Sequence, residues 1–313
     1  MASSANTLTN LIPTLYLALD TVSRELVGFI PAVTRDATFA RAAIGQTVRS
    51  FVAPAATAFT IAPDRYRTDT GEQTIGNISL SITASRACPI RWQGEESMQM
   101  NAPGGSGVSR IMVDQFAQAM RTLVNEIEAD LGLLYKNASR AVIPDSTTLF
   151  SATLKDAANV RKILSDNGAP LTDLQMVVGT TEGAALRSLA QLNQVNTSGD
   201  TNLLRQGVLG NIMGFDIRES AKVVTPAVGT LGGSPVVDTS AYSVGDSTIT
   251  LGAGGTGTVV AGDIISLASD TNYYVNKTLV TPNFASVPFY LNAPGLMKAI
   301  TGSASPAVCA GAP

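Results

Sequence analysis

The longest amphipathic pattern of the chain lies between residues 107 and 137. Apolar side chains recur there at steps of three or four residues, and polar side chains occupy the opposite face. The apolar positions are Met112, Phe116, Ala119, Met120, Leu123, Ile127, Leu131 and Leu134. The polar positions are Asp114, Gln118, Arg121, Asn125 and Glu128. The pattern predicts one helix of roughly 40 Å, interrupted only by Gly132.

A strict alternation of period two precedes this helix. Four apolar residues (Ile78, Leu80, Ile82 and Ala84) alternate with four hydroxylated ones (Ser79, Ser81, Thr83 and Ser85). One apolar and one hydroxylated face predict a half-exposed antiparallel strand. The segments QTVRSFV and TAFTI, upstream, are also typical of strands, and APDRYRTDTGEQ is polar and turn-rich. We therefore expect a long hairpin with a charged tip, limited at its edge by Pro89.

The first 45 residues are predicted to form an N-terminal arm. Leu15, Leu19, Val22 and Leu26 follow Pro13 at helical spacing, which predicts a short helix. The segment RDATFARAAIG is a weaker helical candidate that ends at Gly45.

Residues 141–220 show alternating helical and strand patterns. Thr153 and Asp156 resemble a capping box for a helix that Gly168 and Pro170 end. LQMVV predicts a buried strand, Thr180 or Thr181 is expected to cap the next helix, and IMGFDIR predicts a further strand.

Residues 221–285 are rich in Gly, Thr, Ser and Val, and predict a small all-β insertion. The predicted strands there are STITL, TVVAGDIISL, NYYV and KTLV. After Leu291 we expect a short helix and a loose end. Together these patterns predict an α+β fold.

Composition adds two limits on function. Charged residues make up 14% of the chain and hydrophobic residues 45%, so the surface is either covered by neighbouring molecules or rich in neutral Ser, Thr and Asn. The net charge of −3 argues against a basic nucleic-acid-binding surface.

Cys88 and Cys309 lie far apart, and free thiols are expected. The N-terminus lacks a signal-peptide pattern, and no apolar run reaches membrane-helix length, which favours a soluble, unexported protein.

The inventory of catalytic residues argues against an enzyme. The chain has no histidine, which excludes the usual Ser-His-Asp and Cys-His arrangements and histidine metal sites. Three close carboxylate pairs remain: Asp64 with Asp69, Glu95 with Glu96, and Glu126 with Glu128. We interpret all three as solvated or inter-subunit charges, and Glu126 and Glu128 are predicted on different helix faces. No catalytic residue, metal or cofactor is expected.

One glycine motif matches the dinucleotide-binding fingerprint, at Gly252, Gly254 and Gly257. A phosphate site needs a helix N-terminus directly after such glycines. The following segment, TVVAGDIISL, is typical of a strand, so we interpret the glycines as a hairpin turn.

Trp92, the single tryptophan, has two interpretations. It packs locally at the hairpin base, or it anchors an interface together with Arg91, Glu95 and Glu96, because Trp and Arg are enriched at binding hot spots.

Several stretches, in this order along the chain, resemble major capsid proteins of tailed bacteriophages with the Hong Kong 97-like fold, in their podovirus-type branch. They are GQTVRSFVAP, ISLSITASRACPIRWQGEES, MRTLVNEIEADLGLLYKN, TLKDAANVRKILSDNGAP, RQGVLGNIMGFDIRES and TVVAGDIISLASDTNYYVNK. The resemblance implies an N-arm (1–45), an extended hairpin loop with peripheral strands (46–100), a spine helix (101–140), an axial domain (141–220), a small inserted β domain (221–285), and an axial-domain return with a C-terminal tail (286–313).

The resemblance also implies partners and a location. Copies of the chain would form the hexamers and pentamers of an icosahedral shell, with scaffolding and portal proteins. The shell would enclose double-stranded DNA without sequence-specific binding and without a membrane. Such chains fold in the bacterial host cytoplasm and end in the virion. We expect Asp64, Arg65, Arg67 and Asp69, in the hairpin loop, to contact an adjacent subunit.

Three alternatives stay open at this point. An encapsulin-like compartment protein shares the fold, and a nucleotide-binding enzyme would use the Gly252–Gly257 turn. The third is a β-rich phage or surface protein that forms no shell.

Overall fold

A computed structural model describes residues 26–35, 44–52, 75–91, 94, 108–144, 149–194, 206–233, 236–238, 240–252, 255–267, 270–279, 287–300 and 306–309. The chain divides into two compact units, one formed by Met1–Val33 with Ile90–Pro313 and the other by Thr34–Pro89. Helices and strands both occur, so the fold is mixed α and β, as the sequence predicts. The helices predicted before residue 26 and across residues 36–43 lie outside the described residues.

The larger unit begins, within the described residues, with a single helical turn, α1 (Phe29–Ala32). The smaller unit contains β1 (Thr47–Val52) and β2 (Gly76–Ser81), which pair antiparallel. The predicted strand in QTVRSFV is therefore confirmed. The predicted alternating strand is also confirmed, but it ends at Ser81, earlier than the alternation suggests.

The predicted long helix is confirmed as α2 (Val108–Gly132), which continues into a 3₁₀ helix at Leu133–Asn137. The α geometry ends at Gly132, the interruption seen in the sequence. A Cβ at this position would lie 2.6 Å from the carbonyl oxygen of Lys222. Glycine is thus required at position 132 because the backbone of Lys222 approaches it closely. Its low helix propensity is a less important reason for the end of the α-helix.

The predicted orientation of α2 is partly wrong. Glu128 was expected on the polar face, but it is only 1% exposed, whereas Ile127 of the expected apolar face is 50% exposed. Val113 and Ala117 are buried on the same side as Glu128. The buried stripe is rotated because the Glu128 carboxylate accepts hydrogen bonds from the backbone N–H groups of Phe29 and Ile30, at 3.1 and 2.8 Å. Glu128 is therefore neither a solvated nor an inter-subunit charge.

The α/β region surrounds a parallel strand pair. Its elements are α3 (Lys155–Asp166), β4 (Leu174–Val178), α4 (Thr180–Ser188), α5 (Ala190–Asn193), β5 (Asn211–Ile212) and β6 (Phe215–Glu219), after the short strand β3 (Arg140–Ala141). Strand β4 pairs parallel with β6, and β5 pairs antiparallel with β6. The helices between β4 and β6 cover the pair, and the core contains Phe150, Ala157, Val178, Leu186, Leu189 and Ile217.

Three local predictions in this region need correction. Asp156 does not close a capping box with Thr153, since its carboxylate accepts the N–H of Phe150 at 3.0 Å. Gly179, with no side-chain cap, occupies the N-cap of α4, and Thr180 is already helical. The segment IMGFDIR forms two strands because Met213 and Gly214 both have positive φ and make a tight turn.

The remaining strands form a β-rich region. They are β7 (Gly232–Gly233), β8 (Thr248–Leu251), β9 (Gly255–Thr256), β10 (Ile264–Leu267), β11 (Tyr273–Val275), β12 (Val287–Tyr290) and β13 (Pro306–Cys309). One sheet has the order β13-β10-β11-β3, and the pairs β12–β8 and β7–β9 complete the region. Their core is formed by Val237, Ile249, Leu251, Val259, Ile265, Leu267, Tyr274, Phe289, Leu291, Leu296 and Ile300.

Several strand predictions hold here and others do not. STITL and NYYV are confirmed by β8 and β11. Only the second half of TVVAGDIISL is a strand, because Asp263 accepts the backbone N–H of Gly229 and of Val260 and closes a turn. No helix follows Leu291 within residues 291–300, and Pro306–Cys309 adds a strand to the sheet.

Arg140 joins the α/β region to the β-rich region. Its guanidinium donates to Asn167 Oδ1 at 3.2 Å and to the carbonyl oxygen of Gly295 at 3.0 Å. It also lies 4.8 Å from the ring centre of Tyr274, whose hydroxyl donates to Asp270. Burial lowers the pKa of Arg140. The pKa of Tyr274 is raised to about 12, mainly by burial and also by the hydrogen bond to Asp270.

Candidate assembly surface

The hairpin of the smaller unit is a regular antiparallel ladder. Val48 lies opposite Leu80, Ser50 opposite Ile78, and Phe51 opposite Asn77. The ladder extends past β1 and β2, since the N–H of Gly45 donates to the carbonyl of Ile82 at 2.9 Å. Gly45 has a φ of +87°, which a residue with a side chain rarely adopts. The backbone therefore fixes which side chains share a face.

One face of this hairpin is apolar, and its large side chains are exposed. Residues directly opposite each other in an antiparallel pair lie on the same face, so Val48, Ile78 and Leu80 lie together. Ile78 is 66% and Leu80 69% exposed, while Val48 is half-buried. On the other face, Phe51 is 79% exposed. The expectation of a strand with one buried face is therefore wrong, because every residue of β2 is exposed.

This exposure is costly in an isolated chain. A single two-stranded hairpin is marginally stable in water, and contiguous exposed apolar surface marks interaction sites. Each fully buried Ile or Leu side chain contributes about 1.5–3 kcal/mol relative to an exposed one. The hairpin thus gains stability from a surface that covers Ile78 and Leu80 on one face, or Phe51 on the other.

Most of the residues that the sequence suggested as contacts lie outside the described residues. These are Asp64, Arg65, Arg67, Asp69, Trp92, Glu95 and Glu96. Arg91 is described and exposed. Their role in contacts between subunits stays a prediction.

Two features of the hairpin escaped the sequence analysis. Phe51 was expected only as part of a strand, and nothing in its local pattern marked it as exposed. Val48 could have been placed with Ile78 and Leu80 from the sequence, had the register between the two strands been known.

Charge is divided unequally between the two units. Residues 34–89 carry six arginines and four carboxylates, which gives a net charge of +2. The rest of the chain carries fifteen basic and twenty acidic residues, which gives −5. All cations of the smaller unit are arginines, whose planar guanidinium suits paired contacts with carboxylates.

The glycine motif does not have the surroundings of a dinucleotide site. Residues 255–267, which begin with the second half of the motif, contain β9, a turn and β10, and no helix. The strands on its two sides, β8 and β10, pair in different sheets, so the predicted hairpin turn is also wrong.

A cleft of about 330 Å³ lies at the end of β4, beside the start of α4. Among the described residues that line it, only Glu182 is ionisable. A Cβ on Gly179 would lie 2.2 Å from Glu182 Oε2, so this carboxylate lies against the first turn of α4. The helix N-terminus, where an anion would otherwise bind, therefore already has a negative partner.

Two further features of the described residues concern metal sites and membrane spans. No group of three Cys, Asp or Glu side chains there could hold a metal ion. In the same part of the chain, every helix is too short or too polar to cross a membrane.

No protein-family model and no curated protein matches this sequence. The solved structures that match it include two that cover most of its length. One is from Mycobacterium phage Che8, with 16% identity and a TM-score of 0.47, covering 90% of this chain and 87% of that chain. The other belongs to the asymmetric unit of the bacteriophage PhiM1 mature capsid.

That second structure is a phage capsid. It shares 16% identity and a TM-score of 0.36, and covers 82% of this chain and 81% of that chain. Both matched structures come from bacteriophages. Both TM-scores lie below 0.5, so neither likeness assigns a function to this chain.

Proposed function

We propose that this chain is a major capsid protein with the Hong Kong 97-like fold. Copies of it form hexamers and pentamers that close into an icosahedral shell around the double-stranded DNA of a tailed phage. The protein acts by assembly and has no catalytic role.

The order of the elements supports this proposal. An arm, a long hairpin, a rod-like helix, an α/β region and a β-rich region follow one another in the sequence resemblance. The described elements follow the same order: α1, the β1–β2 hairpin, α2, the β4–β6 region and strands β7–β13. In the proposed fold, α2 is the spine helix and the β4–β6 region belongs to the axial domain.

The exposed apolar hairpin is the observation that carries the proposal. Ile78 and Leu80 lie on one face and form an exposed apolar surface that a solitary soluble chain would bury or lack. A second copy of the chain is the proposed occupant of this surface. The opposite net charges of the two units, +2 and −5, favour a contact of the hairpin unit with the larger unit of another copy.

The proposed partners beyond further copies follow from the same resemblance. Scaffolding and portal proteins would join the shell during assembly in the host cytoplasm. Packaged DNA would lie inside the finished virion without sequence-specific contacts, which suits a chain with a net charge of −3.

A double substitution on the apolar face tests the proposal. Ile78→Ser with Leu80→Ser removes the apolar surface without touching the backbone ladder. We expect the variant to fold and to form few or no closed particles, measured by negative-stain microscopy and sedimentation of the purified full chain.

The matched control is Ser79→Ala, which lies between the two positions on the opposite face. We expect the control to assemble like the wild type. Closed particles of normal yield from the double variant would show that this face makes no contact needed for assembly.

A further inference from the structure

A cluster of hydrogen bonds that the capsid proposal does not use is centred on the buried carboxylate of Glu128. This carboxylate is 1% exposed and lies near the C-terminal end of α2. Its Oε1 accepts the N–H of Ile30 at 2.8 Å, and its Oε2 accepts the N–H of Phe29 at 3.1 Å and of Gly28 at 3.4 Å. The hydroxyl of Ser220 also donates to Oε2, at 2.9 Å.

Backbone packing reinforces this junction. A Cβ on Gly28 would lie 2.8 Å from the carbonyl oxygen of Glu219, and one on Gly132 would lie 2.6 Å from that of Lys222. The segment after β6 is therefore held between α2 and the turn at residue 28. The three parts of the chain meet at a single carboxylate.

The side chains of the segment around α1 are only partly buried, with the ring of Phe29 beside Gly132. Gly28 is the single buried position of the described residues 26–35, and the rest are half-buried or exposed. A buried carboxylate is expensive to desolvate and is tolerated when its hydrogen bonds are complete. Three backbone hydrogen bonds to Glu128 thus hold the segment on α2, together with partial apolar contact.

The attached segment directly precedes the boundary between the two units in the sequence. Residue 33 is the last of the first part of the larger unit, and the smaller unit begins at Thr34. Glu128 therefore holds the chain directly before one of its two covalent passages into the hairpin unit.

We propose that Glu128 is a latch that holds residues 28–33 on α2 and Ser220, and that opens without unfolding the α/β core. When the latch opens, the chain leading into the hairpin unit becomes free to change direction. Segments of low local stability open in this way as separate cooperative units. The proposal does not depend on the capsid function, since it concerns the unassembled chain.

Hydrogen exchange in Glu128→Gln tests the latch. Glutamine keeps the shape, but its amide group places N–H donors towards the N–H groups of residues 28–30. The decisive probe is the amide of Val33, which donates to the carbonyl of Phe29 and not to Glu128. We expect its exchange to accelerate roughly tenfold or more, while amides of β4 and β6 keep the wild-type rate. Trypsin should also cut faster after the exposed Arg35.

Asp130→Asn is the matched control, because Asp130 is an exposed carboxylate on the same helix. We expect no change at Val33 in this variant. If Glu128→Gln fails to fold, Ser220→Ala removes one bond of the latch, and a smaller acceleration confined to residues 28–33 is expected. An unchanged Val33 rate in the folded variant, or an equal acceleration in β4 and β6, would overturn the proposal.

Discussion

At the scale of single residues, two glycines determine how closely backbone segments pack. Gly28 and Gly132 lie against the carbonyl oxygens of Glu219 and Lys222. Both contacts involve backbone atoms, which cannot rotate away as the end of a flexible side chain can. A methyl group at either position must therefore displace a chain segment.

Gly132→Ala is expected to destabilise the protein. Alanine favours a helix by about 1 kcal/mol over glycine, but the backbone clash of an overpacked site costs typically 1–3 kcal/mol. The clash should dominate, and the midpoint of denaturant unfolding should fall. Gly210→Ala is the control, because a Cβ there meets nothing within 4 Å. A Gly132→Ala variant as stable as the wild type would contradict the close approach.

Tyr274 gives a pH dependence at the same scale. Its pKa rises from 10.0 to about 12 in the folded chain, through burial and through the hydrogen bond to Asp270. A tyrosine with a raised pKa stabilises the fold fully below the unfolded value, and this stability is lost as the pH rises towards the folded value. The window runs from pH 10.0 to about 12.

Tyr274→Phe tests this dependence. The variant lacks the titrating group, so the stability advantage of the wild type should shrink across the window from pH 10.0 to about 12. Thermal unfolding of both proteins at several pH values measures the difference. If the wild type and the Tyr274→Phe variant lose stability equally as the pH rises, groups other than Tyr274 cause the alkaline sensitivity.

At the scale of elements, the sequence pattern predicted a helix or strand correctly where its own residues determine its structure. The helix α2, strands β2, β4 and β11 and the end of α3 near Gly168 follow from periodicity and turn residues. The predictions from the sequence were wrong where contacts with another segment determine the position of a side chain. Glu128 is buried because α1, about a hundred residues earlier, donates to it. Asp156 bonds Phe150 instead of closing a capping box.

The candidate surface was predictable in part for the same reason. Alternation identified the apolar face of β2, but not its exposure, because burial depends on what lies opposite. The turn at Met213 and Gly214 lies within a run of strand-forming residues, and both residues have positive φ angles. The residue pattern therefore did not indicate it.

The hairpin carries a stability prediction at this scale. Ile78→Ser with Leu80→Ser should change the free energy of unfolding of the unassembled chain by little, about 0.5 kcal/mol or less per site, because both side chains are already exposed. Circular dichroism melts measure this. A large loss of stability would mean that these side chains pack within their own chain.

At the scale of the whole molecule, the two units differ in the sign of their net charge. The hairpin unit is arginine-rich and carries +2, although the chain as a whole carries −3. Such a distribution favours ordered contacts between unlike units of neighbouring copies.

Charge reversal in the hairpin loop tests this distribution. Arg65→Glu with Arg67→Glu changes the net charge of residues 34–89 from +2 to −2. We expect impaired shell formation with a folded monomer, and stronger impairment at low salt, where repulsion is least screened. Arg65→Lys with Arg67→Lys keeps the charge and is the control. Normal shells from the reversed variant would remove this loop from the assembly contacts.

The most direct test of the account is negative-stain microscopy of the expressed full chain, alone and together with a scaffolding protein. The account predicts closed particles of icosahedral shape. A protein that stays strictly monomeric under all of these conditions would contradict it.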